Sequence, residues 1–417
     1  MATIFMQVVA QNEQGKVEVD IKKMLCIQQK KSMLATMKFL AWLKKDFVLV
    51  ASVVLALVSL LMVRPSVELV IEAIDFKVLA LLFCLMLVIQ AFRTTNLLDY
   101  VAVRLLGVCK NTRMLYFVLV FLVFAVSMVI TNDVALLTFV PLTILVCQKR
   151  SISAGTLVVL ETIAANLGSS LTPMGNPQNL FLYSFYSFST KEFFSITLII
   201  GAVSLVLLTV VLLVVGGGKK AASAEAKVEL TASDATQVPV VKKDFRFWLY
   251  VVAFVLSLLT VFRVVDYRIT LVVVTCLVVV CNCRLLSMVD YGLLGTFLAF
   301  FVFVGCISSV PAVAGLIESS VTSPLATYIT GIATSQVISN VPASLLLSGF
   351  ASHGKELLLA VNVGGLGTLI ASLASVISFN IYRNSSASCC KEGFMVRFTG
   401  YNLLFLAVLA PVVWMFL

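Results

Sequence analysis

Residues 160–183 read LETIAANLGSSLTPMGNPQNLFLY, a run of neutral oxygen and amide side chains between apolar ends. Asn166, Ser169, Ser170, Thr172, Asn176, Gln178 and Asn179 carry no net charge but offer carbonyl or hydroxyl oxygens beside N–H donors. Such groups suit the holding of a small ion together with part of a solute. The backbone contributes as well. Pro173, Gly175 and Pro177 remove or reshape helix hydrogen bonds, so the sequence predicts a helix that stops at Leu171, runs open through 172–177 and resumes near Gln178. Unpaired backbone at membrane depth is tolerated only where it is buried in protein or lines a cavity. The run reads as one half of a transport site.

The rest of the chain supplies the depth. Of 417 residues 61% are hydrophobic and 12% charged, with a mean hydropathy of +1.09, against about 25% charged in an ordinary soluble domain. Many apolar runs reach roughly 15 to 22 residues, the span of a bilayer core. The net charge of +10 does not form a nucleic-acid face, because the basic residues lie between apolar segments. Most of the ten cysteines stand singly in apolar runs, and the one histidine, His353, is in a short loop. No metal cluster, no nucleophile with a base and no GxxxxGK[ST] loop stands out, so a membrane-embedded enzyme is the much weaker reading and nothing points to ATP hydrolysis. No resident cofactor is expected.

The elements that must position these groups follow in order. Residues 1–45 form a cytoplasmic extension ending in an amphipathic interfacial helix at 33–42. A first membrane repeat occupies 46–215, with a hairpin at 115–147 and the broken helix at 153–190. The polar stretch 216–244 is a cytoplasmic linker. A second repeat occupies 245–417, with a hairpin at 324–350, a second broken helix at 356–382 and a final span at 400–417. The first hairpin is apolar except for Thr131-Asn132-Asp133 at its middle. Each arm reaches roughly 21 to 24 Å, short of a ~30 Å core. With basic residues at both ends it reads as re-entrant from the cytoplasm. A single kinked span is the competing reading. On this layout only Arg64, Lys77, Lys191, Arg263, Arg268 and Lys355 of the 30 basic residues fall outside, as the positive-inside rule requires. The N-terminus is therefore cytoplasmic.

The halves echo each other. Asn166-Leu-Gly168-Ser169 set over Gly365-Leu-Gly367-Thr368 carries Tyr183 onto Tyr382, and upstream Thr131-Asn132 matches Ser339-Asn340. The expected fold is all-α and polytopic, with two inverted-topology repeats that each hold a re-entrant hairpin and a broken helix. Two carboxyl groups lie inside it. An ionised Asp133 at the membrane centre costs at least ~2.5 to 3.5 kcal/mol. It either binds Na⁺, exchanges a proton, or caps the return arm of its hairpin. Glu161 is either a proton carrier or paired to a neighbouring helix's hydroxyl.

The segments ITNDVALLTFVP, NLGSSLTPMGNPQN, ISNVPAS and GGLGTLIASLASVISFN resemble the ion transporter superfamily over residues 46–417. That group includes divalent anion/sodium symporters, citrate permeases, the arsenite-efflux membrane subunit and D-type Na⁺/H⁺ antiporters. In the symporters, Ser-Asn-Thr hairpin tips and Gly-Thr-Pro-Pro-Asn-like turns jointly bind sodium and a carboxylate or sulfate. The resemblance implies a first half-site of Thr131, Asn132, Thr172, Gly175, Asn176 and Asn179. It implies a second of Ser339, Asn340, Gly367, Thr368, Ser372 and Ser375, with Na⁺ near Asn132, Asn176, Asn340 and Ser375. The first tip, Thr-Asn-Asp, is closer to the arsenite and antiporter branches. The expected protein is a multi-pass plasma (inner) membrane transporter, homodimeric and lipid-embedded, that binds no nucleic acid. It moves a small anion with Na⁺ or H⁺ by elevator-type alternating access. A Na⁺/H⁺ antiporter or arsenite-type extruder is the second reading.

Overall fold

The computed structural model describes residues 47–106, 109, 111–150, 152–215, 241, 244–385 and 393–417. The expected N-terminal extension and nearly all of the linker lie outside these residues. Eighteen α-helices and two short 3₁₀ turns make up the described chain, and no strand occurs among the described residues.

The first half runs α1 (Phe47–Val63), α2 (Val67–Ala73), α3 (Phe76–Thr94), α4 (Leu97–Leu106), α5 (Thr112–Ser127), α6 (Asn132–Lys149), α7 (Gly155–Ser169), α8 (Pro177–Phe185) and α9 (Thr190–Val215). The second half runs α10 (Phe245–Val261), α11 (Tyr267–Asn282), α12 (Tyr291–Ile307), α13 (Pro311–Ser319), α14 (Pro324–Ile338), α15 (Asn340–Ser348), α16 (Gly354–Val363), α17 (Leu373–Asn384) and α18 (Phe394–Met415). Polar residues cap the exposed starts: Ser66, Asp75, Asn111, Asp244, Asp290 and Ser323 each accept a main-chain N–H of the first turn. Those N–H groups have no carbonyl partner within the helix.

By length and composition α3, α6, α9, α18 and the continuous unit Tyr267–Met288 can each cross a bilayer. The pair α12 and α13 passes the same test but bends by 105°, because Pro311 opens α13 and cannot continue α12. The α2 and α13 segments are short helices of seven and nine residues. The outward faces are apolar: Val214 and Leu198 of α9 are 74% and 66% exposed, the pattern of a surface that meets lipid. The fold and the family reported below make this a multi-pass membrane protein.

Two apolar cores form. The larger encloses α5 to α8, α14 to α18 and the inner faces of α3, α9 and α12. A separate one joins α3, α10 and α11 through Leu87, Phe92, Tyr250 and Val278. Beside them, α1 packs along α12.

Candidate solute site at two helix breaks

The first break follows from local chemistry. The α7 helix ends at Ser169, residues 170–176 are open, and Pro177 starts α8 at a position where a missing N–H costs nothing. The Asn176 side chain caps α8 by accepting the Asn179 N–H at 2.9 Å. The Asn179 amide then folds back and donates to the carbonyls of Ser169, Ser170 and Thr172 at 3.3, 3.0 and 3.1 Å. One amide thus meets three carbonyls that the break had released. The loop closes so tightly at Gly175 that a Cβ there would stand 2.2 Å from the Ser169 carbonyl.

The tip between α5 and α6 is stitched to this loop. The Asn132 N–H donates to the Gly175 carbonyl at 3.2 Å, and the Thr172 hydroxyl donates to the Met128 carbonyl. Thr131 precedes α6 in extended conformation and makes no side-chain cap. Asp133 does not cap α6 either. Its own N–H donates to Asn132 Oδ1 at 3.0 Å, and its Oδ1 is buried with no partner.

The second break is longer. The α16 helix ends at Val363, a 3₁₀ turn occupies Leu369–Ala371, and α17 starts after Ser372. Here the bracing amide comes from the arm before the tip. Gln336 Nε2 donates to the carbonyls of Gly364 and Leu366 at 2.8 and 2.9 Å, and its Oε1 accepts the Thr368 N–H at 2.9 Å. Gly367 has φ +107°, and a Cβ would meet Gln336 Oε1 at 2.3 Å, so only glycine fits. Ser339 at the second tip holds φ +76°, a conformation rare for a residue with a Cβ. Its hydroxyl donates to the Ala371 carbonyl at 3.4 Å. A Cβ on Gly365 would stand 2.8 Å from Asn340 Nδ2. Thr368 is exposed, with its hydroxyl on the Gln336 carbonyl.

Three buried links join the halves. Asn362 of α16 donates to Asn179 Oδ1 at 2.7 Å and accepts from Asn176 Nδ2 at 3.2 Å. The Ser372 hydroxyl donates to Asn166 Oδ1 at 2.9 Å, and Asn166 also accepts from Asn132 Nδ2 at 3.1 Å. The Thr162 hydroxyl donates to Ser378 at 2.8 Å. Glu161 is fully buried in α7, takes the Thr143 hydroxyl on Oε1 and has no partner on Oε2. Ser375 Oγ and Asn166 Nδ2 are also buried and unpaired.

The structure therefore brings Asn132, Thr172, Gly175, Asn176 and Asn179 into one network and ties it to Ser372. It sets Ser339, Asn340 and Gly367 around the second break and turns Thr368 outward. Sequence reasoning passed over Asn362 and Gln336, and counted Asn166 among the solute-holding groups of the first break without placing it in either half-site. For Asn362 the available signal was a lone amide in the apolar run that follows Glu356.

This geometry of two broken helices, each met by a polar tip, accompanies a clear family match. The chain belongs to the citrate transporter family, whose model covers residues 37–354. An uncharacterized transporter of Methanocaldococcus jannaschii is 30% identical over 80% of this chain and 88% of its own length. The inner membrane protein YbiR of Escherichia coli is 31% identical over 74% and 80%. The human P protein is 33% identical over 122 residues, 29% of this chain and 15% of its own. The protein is a membrane transporter and not an enzyme.

Proposed function

We propose that this chain is a secondary active transporter of a small anion, a carboxylate or an inorganic oxyanion, coupled to Na⁺ or H⁺. Two inverted repeats would carry the solute by an elevator-type motion. The reciprocal packing of the two halves is the observation that carries this reading. The return arm of the first tip, α6, lies against α17 of the second broken helix, while the return arm of the second tip, α15, lies against α8 of the first. Each tip also abuts the break of its own half. Such an exchange is what a pseudo-twofold axis between inverted repeats produces.

The split apolar core supports the motion. The α10 and α11 helices pack on α3 in a core apart from the one around both breaks, and α3 also borders that larger core with its inner face. This division suits a static scaffold beside a moving unit. A scaffold of this kind is the natural dimer surface, in a plasma membrane with the N-terminus and residues 216–244 inside. Membership of the citrate transporter family favours a carboxylate. Na⁺ would draw on Asn132, Asn176, Asn340 and Ser375, and H⁺ on Asp133 or Glu161.

Reconstitution tests this. Citrate and sulfate uptake into proteoliposomes should rise when an inward Na⁺ or proton gradient is imposed, and gradient-independent uptake at background level would reject it. The unpaired oxygen of Asp133 favours the second reading, a Na⁺/H⁺ antiporter or arsenite-type extruder. That reading requires Na⁺ flux against a pH gradient with no anion present.

A further inference from the structure

The crossing of α7 and α17 is an antiparallel ladder with a rung missing. Thr162 pairs with Ser378 and Asn166 with Ser372, so ascending α7 means descending α17. Ser372, Ser375 and Ser378 recur every three residues and share one face. Ser375 is therefore held between the two rungs, yet its hydroxyl is fully buried and has no partner.

The other unpaired group at this crossing is a donor whose orientation is fixed. The Asp133 N–H donates to Asn132 Oδ1, which leaves the Asn132 amide nitrogen to face Asn166. Asn166 must then present Oδ1 to Asn132 Nδ2, and the Ser372 hydroxyl donates to the same oxygen. Turning the Asn166 amide over would set –NH₂ against –NH₂. Both hydrogens of Asn166 Nδ2 are thus left buried without an acceptor, in a residue 4% exposed. In the frame that sets Tyr183 over Tyr382, Ser375 falls on Asn176, the capping residue of the first break.

Buried donors in native proteins are almost always met. An amide –NH₂ cannot coordinate a cation, whereas an oxygen of an anion satisfies it and the serine hydroxyl together. We infer that Asn166 Nδ2 and Ser375 Oγ form a subsite for one carboxylate or oxyanion group of the transported solute, with Asn132 and Ser372 as positioning residues that aim the Asn166 amide. The inference rests on the anion-transport reading above and names its donors.

The test uses the full-length protein in detergent, with thermal stabilisation titrated by citrate, sulfate and phosphate. Ser375→Ala removes a hydroxyl that bonds to nothing in the protein, so a merely structural role moves neither the ligand-free melting temperature nor the affinity. The expected result is an unchanged ligand-free melt and an apparent citrate affinity weakened about tenfold, the size of losing one hydrogen bond to a charged group. Asn166→Asp keeps the oxygen that accepts from Asn132 and Ser372 but replaces the donor, and should abolish stabilisation. Ser204→Ala, which deletes another buried unpaired hydroxyl on α9, should change nothing. A Ser375→Ala affinity equal to wild type overturns the subsite while the transport reading stands. A wild-type protein that is neither stabilised by nor takes up any of the three anions overturns both. If Asn166→Asp fails to fold, Ser375→Ala decides alone.

Discussion

The Asn362 amide nitrogen lies 2.7 Å from Asn179 Oδ1, and that bond holds the brace of the first break from the opposite half of the chain. Asn179 can serve three carbonyls only while its oxygen end is fixed. Asn362 fixes it and takes the Asn176 amide as well. Its own second hydrogen returns to the Leu358 carbonyl at 2.8 Å. The three asparagines thus make a buried triangle spanning both halves.

Replacing Asn362 with leucine should therefore be costly. It leaves Asn179 Oδ1 and an Asn176 hydrogen unpaired in the core, at about 1–3 kcal/mol for each stranded group. The detergent-solubilised variant is expected to melt several degrees lower, and ligand stabilisation should shrink because the first break loosens. A melting curve superimposable on wild type would mean the triangle carries no weight.

Gly175 and Gly168 should tolerate no side chain. A Cβ on Gly168 would stand 2.1 Å from the Phe124 carbonyl of α5, and one on Gly175 2.2 Å from the Ser169 carbonyl. Both obstacles are backbone, so the helices must separate or the loop must open. Gly175→Ala and Gly168→Ala should lose the monodisperse peak in size-exclusion chromatography. Gly315→Ala, with nothing within 4 Å, should keep it.

Glu161 and Asp133 can be told apart by the kind of flux they support. Each has one buried carboxyl oxygen with no partner, but Glu161 alone holds a hydroxyl partner, Thr143. If one of them carries the coupling proton, its amide variant (Glu161→Gln or Asp133→Asn) should lose pH-gradient-driven uptake and keep equilibrium exchange of labelled citrate. If both retain gradient-driven uptake, neither carries the proton.

The sequence was most legible where backbone chemistry spoke. Two prolines and a glycine mark the first break to within two residues of where α7 ends and one of where α8 begins. The second break was found through its Leu-Gly-Thr match, although Gly364 and Gly365 extend its open stretch. Matching the halves was also what hid the braces. In that frame Asn362 falls on Ile163, and Gln336 precedes its tip without a counterpart amide before Asn132. Neither had an echo to draw notice. The same frame sets Asn166 over Gly365, so its amide reads as one polar group of the first break and not as a link to the second. The roles of Asn132 and Thr368 depend on side-chain direction, which spacing does not carry. The α13 helix stayed hidden because nine residues opened by a proline look like a turn.

Gln336 offers the sharpest comparison with Asn179, because both feed one amide into the carbonyls of a break. Glu at this position is nearly isosteric, yet it sets a carboxylate oxygen against the Gly364 and Leu366 carbonyls. The repulsion should open the second break, with Gly367 at φ +107° free to swing once the Thr368 N–H bond is strained. Gln336→Glu is therefore expected to abolish citrate uptake, whereas Gln336→Leu, which removes the donor without adding charge, should leave a reduced rate. Limited proteolysis can check the cause. Cleavage near 364–372 should appear in the Glu variant first, and equal protection of both variants and wild type would show that the break holds without its brace.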